Sequence, residues 1–270
     1  MSIFSELFEY SFMTRAVIAG ILVSLCSSLL GVSLVLKRYS MIGDGLSHVS
    51  FGALAIAAAL NTAPLVVSIP LVIIAAFFLL RITESGSMRG DAAIAVFSSS
   101  SLAIGIIVTG LTTGITTDVC NYMFGSVLAM SRTDVYISVI LSFAVLALFV
   151  VFYNRIFAVT FDEPFSRATG VRVDLYNSAL AVLTAVTIVL GMRIMGALLI
   201  SSLIIFPALS AMRVCRYFKG VIICAAIISA VCFFIGICAS FYLEIAVGAS
   251  VVIANLIVFV TFSAVARLRR

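Results

Sequence analysis

The strongest constraint on the fold is a series of nine apolar runs, each long enough to cross a lipid bilayer. A membrane helix needs roughly 20 such residues, whereas strands of a membrane barrel alternate in polarity over about ten. Backbone groups in lipid must be hydrogen-bonded internally, so the sequence predicts an all-α, polytopic membrane helix bundle of about nine transmembrane helices, with eight possible. The runs are approximately residues 14–36, 41–60, 64–80, 92–111, 134–153, 175–191, 194–212, 220–242 and 246–266.

The composition agrees with this class and excludes several others. Of 270 residues, 64% are hydrophobic and 10% are charged, whereas soluble domains are about half apolar and a quarter charged. Such a chain cannot cover itself with a water-facing surface, which excludes a soluble enzyme, a nucleic-acid-binding protein and a disordered linker. We expect one transmembrane domain over residues 1–270. Glu6 and Glu9 precede the first arginine, which is not typical of a signal peptide.

The basic residues predict the orientation. If every run crosses once, thirteen of the 16 Lys and Arg residues fall on one side and three on the other. Because cytoplasmic loops carry the excess of basic residues, we expect an external N-terminus and a cytoplasmic C-terminus. The shortest connection, Gly191-Met192-Arg193, is predicted to be the hinge between the sixth and seventh spans. The larger group comprises Lys37, Arg38, Arg81, Arg89, Arg155, Arg167, Arg172, Arg213, Arg216, Lys219, Arg267, Arg269 and Arg270.

Two connections are unusual. Residues 112–133 are too polar for a full span, and their stretch from Tyr122 to Met130 predicts a short re-entrant or interfacial helix on the outer side. The longest polar segment is residues 154–174. There Asp162-Glu163-Pro164 is typical of a helix start, and Gly170 is typical of a helix end. We therefore predict a cytoplasmic surface helix of about two turns.

Asp44 is the one acid among eleven that lies inside an apolar run, and His48 is the only histidine. Residues four apart share a face of a helix, so the two side chains are expected to stack. A carboxylate within a bilayer costs roughly 2.5–3.5 kcal/mol or more, so it is expected to face the bundle interior or a hydrated cavity. A carboxylate and an imidazole together suit a divalent transition metal. Two ligands make a weak site, which suits a conduit.

Three interpretations of the Asp44–His48 pair stay open from the residues alone: an ion pair that locks two helices together, a proton relay, and transient metal ligation. Serines in the seventh run, including Ser201, could line a path, although such residues more often bond between helices. No G-x-x-x-x-G-K-[ST], H-E-x-x-H or G-x-S-x-G motif is present. The chain is therefore not expected to bind ATP by a P-loop or to be an enzyme.

Several motifs resemble one known family. The stretch RYSMIGDGLSHVSFG at 38–52 resembles the second-span signature of bacterial ABC metal-ion permeases, the membrane subunits of zinc, manganese and iron importers. FDEPFSRATG at 161–170 resembles that family's cytoplasmic segment that docks on the ATPase. RIMGALLI from 193, with IFPA at 205–208, resembles its following span, and NYMFGS at 121–126 resembles its outer stretch. The resemblance covers about residues 15–265.

The resemblance implies a type II ABC importer-like fold in the bacterial cell (inner) membrane. It implies that Asp44 and His48 contact the metal in the pathway. The transported ion would be a divalent metal, with zinc favoured and then manganese or iron, and no cofactor would be bound permanently. The segment of about 155–174 would couple to the ATPase. The residues matched to that coupling role are Asp162, Glu163, Ala168 and Gly170.

The implied partners are a second permease copy, a separate cytoplasmic ABC ATPase, and an extracellular or periplasmic metal-binding protein. Pro164-Phe165 departs from the more helix-friendly pair expected there, which could shift the start of the coupling helix. The alternative function is a proton-coupled secondary metal carrier that uses Asp44 and His48 without an ATPase.

Overall fold

The computed structural model describes residues 11–84, 90–112 and 132–268, and within these ranges the chain forms helices and no strands. Nine of the described helices, all except α6 and α7, are long and apolar enough to cross a membrane, which confirms the predicted fold class. The helices are α1 (Ser11–Leu36), α2 (Ile42–Ala59), α3 (Pro64–Glu84), α4 (Gly90–Leu111), α5 (Arg132–Val151), α6 (Tyr153–Phe161), α7 (Glu163–Ala168), α8 (Val173–Met195), α9 (Ala197–Val214), α10 (Phe218–Leu243) and α11 (Val247–Leu268).

The helices form a bundle with α1, α2 and α8 at its centre. These three are 72% buried over their most apolar windows, whereas α4 and α11 are only 22% and 17% buried. The end of α1, the short helices α6 and α7, and the start of α8 meet at one end of the bundle, which we call the coupling end. The start of α5 and the end of α8 meet at the opposite end. The predicted outer helix at Tyr122–Met130 lies outside the described residues.

The predicted hinge at Gly191–Arg193 is wrong, because α8 continues through these residues and ends at Met195. The break lies at Gly196, whose φ of 84° and ψ of 165° suit glycine and few other residues. Gly191 instead permits close packing, since an added Cβ would lie 2.2 Å from Cδ1 of Ile200. The sequence therefore predicts the break at Gly191, which packs against α9, instead of at Gly196, where the helix ends.

The polar segment after α5 folds into two short helices instead of one. The predicted helix is α7, which begins at Glu163 as expected but has six residues, less than the predicted two turns. Pro164 lies in its first turn, where the missing N–H has no helical partner to lose, so the proline does not shift the start. Gly170 follows the helix with a φ of 81°. The preceding helix, α6, is not predicted by the sequence analysis.

Candidate metal site and coupling segment

Asp44 and His48 lie one turn apart near the start of α2. The turn before α2 is closed by a hydrogen bond from the amide N–H of Ile42 to the carbonyl oxygen of Tyr39, at 3.0 Å. Asp44 then falls in the first turn, where the helix dipole favours a negative charge. The Nε2 atom of His48 lies 3.8 Å from Oδ2 of Asp44. The structure therefore brings together the two side chains that the spacing predicts.

The two side chains are the partly exposed ones in an otherwise buried stretch of α2. Between Ile42 and Ala55, every residue is buried except Asp44 and His48. Their side chains are 43% and 20% exposed, respectively. Both are therefore accessible from one face of α2, and neither is enclosed by the core of this chain.

Close helix contacts hold α2 in this position. A Cβ added at Gly43 would lie 2.8 Å from Cδ1 of Ile204 on α9, and one added at Gly45 would lie 2.6 Å from Cγ2 of Ile94 on α4. Small residues let helix backbones approach within a membrane. The glycines on either side of Asp44 thus allow α2 to pack closely against both α4 and α9.

A third polar group reaches the pair from α9. The single O–H of Ser201 has two acceptors within reach, the carbonyl oxygen of Ala197 at 3.2 Å and Oδ1 of Asp44 at 3.5 Å. The site thus offers carboxylate, imidazole and hydroxyl groups. Within the described ranges, no group of three or more His, Cys, Asp or Glu residues is placed to hold a metal ion. The arrangement is a partial site for a cation.

The four residues matched to the coupling role lie together at the coupling end but face different surroundings. Asp162 accepts a hydrogen bond of 2.9 Å from the amide N–H of Phe165, which caps the start of α7. Glu163 is turned toward the bundle, whereas Ala168 and Gly170 are exposed. Two aromatic side chains of this segment are also exposed, Phe161 by 59% and Phe165 by 65%. The segment therefore offers a partly apolar surface.

Glu163 contacts residues that the sequence analysis treated only as orientation signals or not at all. Its Oε2 atom lies 3.6 Å from Nζ of Lys37, and its Oε1 atom accepts a hydrogen bond of 3.4 Å from Nδ2 of Asn177. The Nζ atom of Lys37 also donates to Oδ1 of Asn177. On the side of Glu163 that faces away from the bundle, Nη2 of Arg167 lies 3.7 Å from Oε1 of Glu163. The same Nη2 atom lies 2.9 Å from Oδ1 of Asp174.

A second polar pair, also missed from the sequence, lies at the opposite end of the bundle. Nη2 of Arg193 donates a hydrogen bond of 2.8 Å to Oδ2 of Asp134, and these side chains are only 15% and 12% exposed. The two residues are 59 positions apart and sit at the ends of different spans. The only sequence signal was that each is a charge at the edge of an apolar run.

An open cavity of about 740 Å³ lies between the ends of α9 and α11, and none of its lining residues belongs to the Asp44–His48 pair. Arg213, Arg216 and Arg267 are among its lining residues. The guanidinium of Arg213 lies 5.9 Å from the centre of the Phe259 ring. Such a positive lining does not favour a cation, so the Asp44–His48 pair is the better candidate metal site.

Comparisons with known proteins cover nearly the whole chain. The model of the ABC 3 transport family matches residues 9–266. The chain is 30% identical to the high-affinity zinc uptake system membrane protein ZnuB of Haemophilus influenzae, over 91% of this chain and 94% of that protein. It is 27% identical to the manganese transport system membrane protein MntC of Halalkalibacterium halodurans, over 93% and 86%, respectively.

Solved structures agree with the sequence matches. PsaBC from Streptococcus pneumoniae in complex with Fab superimposes with a TM-score of 0.88 and 27% identity over 99% of both chains. An inward-facing putative metal-chelate type ABC transporter, only 14% identical, shares the fold with a TM-score of 0.76 over 93% of this chain and 85% of its own. The resemblance to metal-ion ABC permeases is thus confirmed, and the chain belongs to the ABC 3 transport family as a multi-pass membrane permease.

Proposed function

We propose that the chain is the membrane-spanning subunit of an ATP-driven importer of a divalent transition metal, with zinc favoured over manganese and iron. One observation carries the metal role: Asp44 and His48 are the two accessible positions along an otherwise buried stretch of α2. The matched relatives are membrane proteins of zinc and manganese systems, which supports a divalent metal as the cargo. The secondary-carrier alternative is not favoured, because the family is one of ABC transporters.

The site would act as a transient resting point for the cation. Asp44 supplies a carboxylate oxygen and His48 an imidazole nitrogen, which are suitable ligands for zinc, manganese or iron(II). Ser201 lies 3.5 Å from one oxygen of the carboxylate and adds a hydroxyl group beside the cation. Two protein ligands replace only part of the water shell, so the ion can leave again. Structural zinc sites, by contrast, are closed by four ligands.

The open face of α2 also suggests how the pathway is completed. Because Asp44 and His48 lie on the surface of this chain, a second permease copy would be needed to enclose a passage beside them. A copy that presents the same pair would double the number of protein ligands. A metal-binding protein outside the cell would deliver the ion to this passage.

ATP hydrolysis would be performed by a separate cytoplasmic ATPase that docks on α7. The exposed rings of Phe161 and Phe165 provide apolar contact area, and the exposed Ala168 and Gly170 allow close approach. The arginine distribution supports a cytoplasmic position of this segment, an external N-terminus and a cytoplasmic C-terminus. Closure of the ATPase would then push on α7 and change access to the metal site.

Metal uptake by site variants tests this function. In vesicles that contain the permease, its ATPase and the binding protein, Asp44→Ala and His48→Ala should lower isotopic zinc uptake at least about tenfold, because each removes one ligand worth about 1.4 kcal/mol or more. Asp91→Asn removes an exposed acid from the start of α4 and serves as the matched control. Wild-type uptake by an assembled Asp44→Ala or His48→Ala complex would refute the metal role.

A competition series identifies the preferred cargo. Zinc, manganese and iron(II) are each offered to the wild-type complex at equal free concentration, and uptake is compared with that of the Asp44→Ala complex. We expect the Asp44-dependent part of uptake to be largest for zinc. A larger Asp44-dependent uptake of manganese or iron would overturn the preference while leaving the metal role intact.

A further inference from the structure

We propose that Lys37, Glu163 and Asn177 form a mechanical link that transmits movement of α7 to the start of α2, where Asp44 lies. This inference rests on the proposed function, since it needs an ATPase that displaces α7. It assigns Lys37 and Asn177 as positioning residues, and it changes the role of Glu163 from a docking contact to an internal one. We call these three residues the coupling link.

The coupling link joins three separate elements at a buried charge. Lys37 directly follows α1 and its side chain is 7% exposed, Glu163 is the first residue of α7, and Asn177 lies in the first turns of α8. The ammonium group contacts both the carboxylate of Glu163 and the amide oxygen of Asn177. A buried charge is costly without such partners, so α1, α7 and α8 are held together at this point.

The coupling link helps to fix the position of α7, together with the ion pair of 2.9 Å between Arg167 and Asp174 of α8. Ser166 is the one buried residue among the six of this helix. Its position therefore depends on polar contacts rather than on an apolar face packed against the bundle. Glu163 makes these contacts with Lys37 and Asn177 on one side and Arg167 on the other. Glu163 is thus the residue of α7 that connects this helix to the turn after α1.

From Lys37 the path to Asp44 is short and hydrogen-bonded. The amide N–H of Tyr39 donates to the carbonyl of Leu34 at 2.8 Å, and that of Ile42 donates to the carbonyl of Tyr39 at 3.0 Å. These bonds tie the end of α1 to the first residue of α2 through one compact turn. Asp44 then follows in the first turn of α2. Movement at Lys37 consequently changes the position of the candidate metal site.

Open space beside the coupling link permits such a movement. An open cavity of about 290 Å³ is lined by Lys37 and Tyr39 on the turn and by residues 159–164. The α7 segment can therefore shift against the turn while the polar contacts of Glu163 keep the two attached. In a tightly packed contact, by contrast, rearrangement would require the surrounding side chains to repack.

The test measures metal transported per ATP hydrolysed in the reconstituted complex of permease, ATPase and binding protein. We expect Lys37→Met and Glu163→Gln each to lower this ratio about fivefold or more, a coupling loss of typical size, while ATP hydrolysis continues. Glu163→Gln preserves side-chain volume and keeps an acceptor oxygen, so it provides a second, milder variant if Lys37→Met inserts poorly. Lys219→Met, which removes an exposed lysine outside the coupling link, is the matched control and should leave the ratio unchanged.

A charge exchange separates transmission from simple stabilisation. The double variant Lys37→Glu/Glu163→Lys restores an attractive pair, and its transport ratio should exceed that of both Lys37→Glu and Glu163→Lys alone. Metal uptake and ATP hydrolysis are each expressed per assembled complex, whose amount is measured by gel filtration, and melting temperatures are compared. Unchanged ratios in Lys37→Met and Glu163→Gln, or losses that only follow the amount of assembled complex, would overturn the inference.

Failure of the inference is distinguishable from failure of the proposed function. If the wild-type complex does not take up metal in the presence of ATP, or if Asp44→Ala does not reduce uptake, the proposed function falls and with it the inference. If wild-type uptake is ATP-driven and depends on Asp44 but not on Lys37 or Glu163, only the coupling link is rejected.

Discussion

Asp44 and His48 are neighbours because of helix geometry, but they are accessible because of packing. The spacing of four residues sets their 3.8 Å approach and is visible in the sequence. Their exposure follows from the way in which α4 and α9 cover the rest of α2. The pair is therefore predictable from the sequence. For Ser201 the sequence leaves open a pathway role and a bond between helices, and only the packing brings it to Asp44 from another helix.

The Asp134–Arg193 pair should stabilise the opposite end of the bundle. Its charges are largely buried, so removing one partner takes the closest opposite charge away from a group that has little access to water. We expect Asp134→Asn or Arg193→Gln to lower the free energy of unfolding by up to about 3 kcal/mol. The measurement is thermal unfolding of the purified chain in detergent.

The double variant Asp134→Asn/Arg193→Gln removes both charges and should recover much of the lost stability. Arg155→Gln, at an exposed position of α6, is the control and should leave the melting temperature nearly unchanged. A melting temperature of Arg193→Gln equal to that of the wild type would mean that the pair contributes no stability.

Two helix boundaries, the start of α7 and the break between α8 and α9, show which boundaries can be predicted from neighbouring residues. The start of α7 is predicted correctly because Asp162 satisfies a free N–H at its own helix end, and capping is a local interaction. The break between α8 and α9 is predicted at the wrong glycine. Gly191 and Gly196 look alike in sequence, and only the contact of Gly191 with Ile200 and the backbone angles of Gly196 distinguish them.

The cap of α7 provides a test of its coupling role. Asp162→Ala should destabilise this short helix by about 0.5–2 kcal/mol, because it removes the acceptor for the N–H of Phe165. Amide hydrogen exchange over residues 163–168 should become faster, and metal transported per ATP should fall.

Asp162→Asn keeps an acceptor oxygen but removes the charge, so it separates the two roles of this residue. We expect near wild-type hydrogen exchange and transport from this variant if the cap is what matters. Loss of coupling in Asp162→Asn with an intact helix would instead indicate that the charge contacts the ATPase directly.

The part of the chain that the structure describes contains nine candidate membrane helices, and the basic residues are distributed unevenly among their connections. The connections after α9 and after α10 should lie on opposite sides of the membrane, since α10 crosses between them. Tyr217 and Glu244 are exposed residues of these two connections. Their accessibility therefore reports the orientation of the bundle.

Cysteine labelling of whole cells measures this orientation. In a variant whose native cysteines are replaced, Glu244→Cys should react with an impermeant maleimide, whereas Tyr217→Cys should react only after the cells are opened. This result places the coupling segment in the cytoplasm, where an ATPase can reach it. The reverse pattern would exclude the proposed topology and the docking of an ATPase on α7.

The amino-acid sequence by itself determined the helical class, the approximate spans, the start of α7 and the Asp44–His48 pair, because each depends on residues that are close along the chain. The tertiary structure alone decided which glycine lies at the break between α8 and α9 and which polar groups on different helices come into contact. Lys37 and Asn177 are 140 positions apart, and Asp134 and Arg193 are 59 apart. Spans that are apolar on all sides do not mark which face packs against which neighbour, so these contacts arise only from the packing of the bundle.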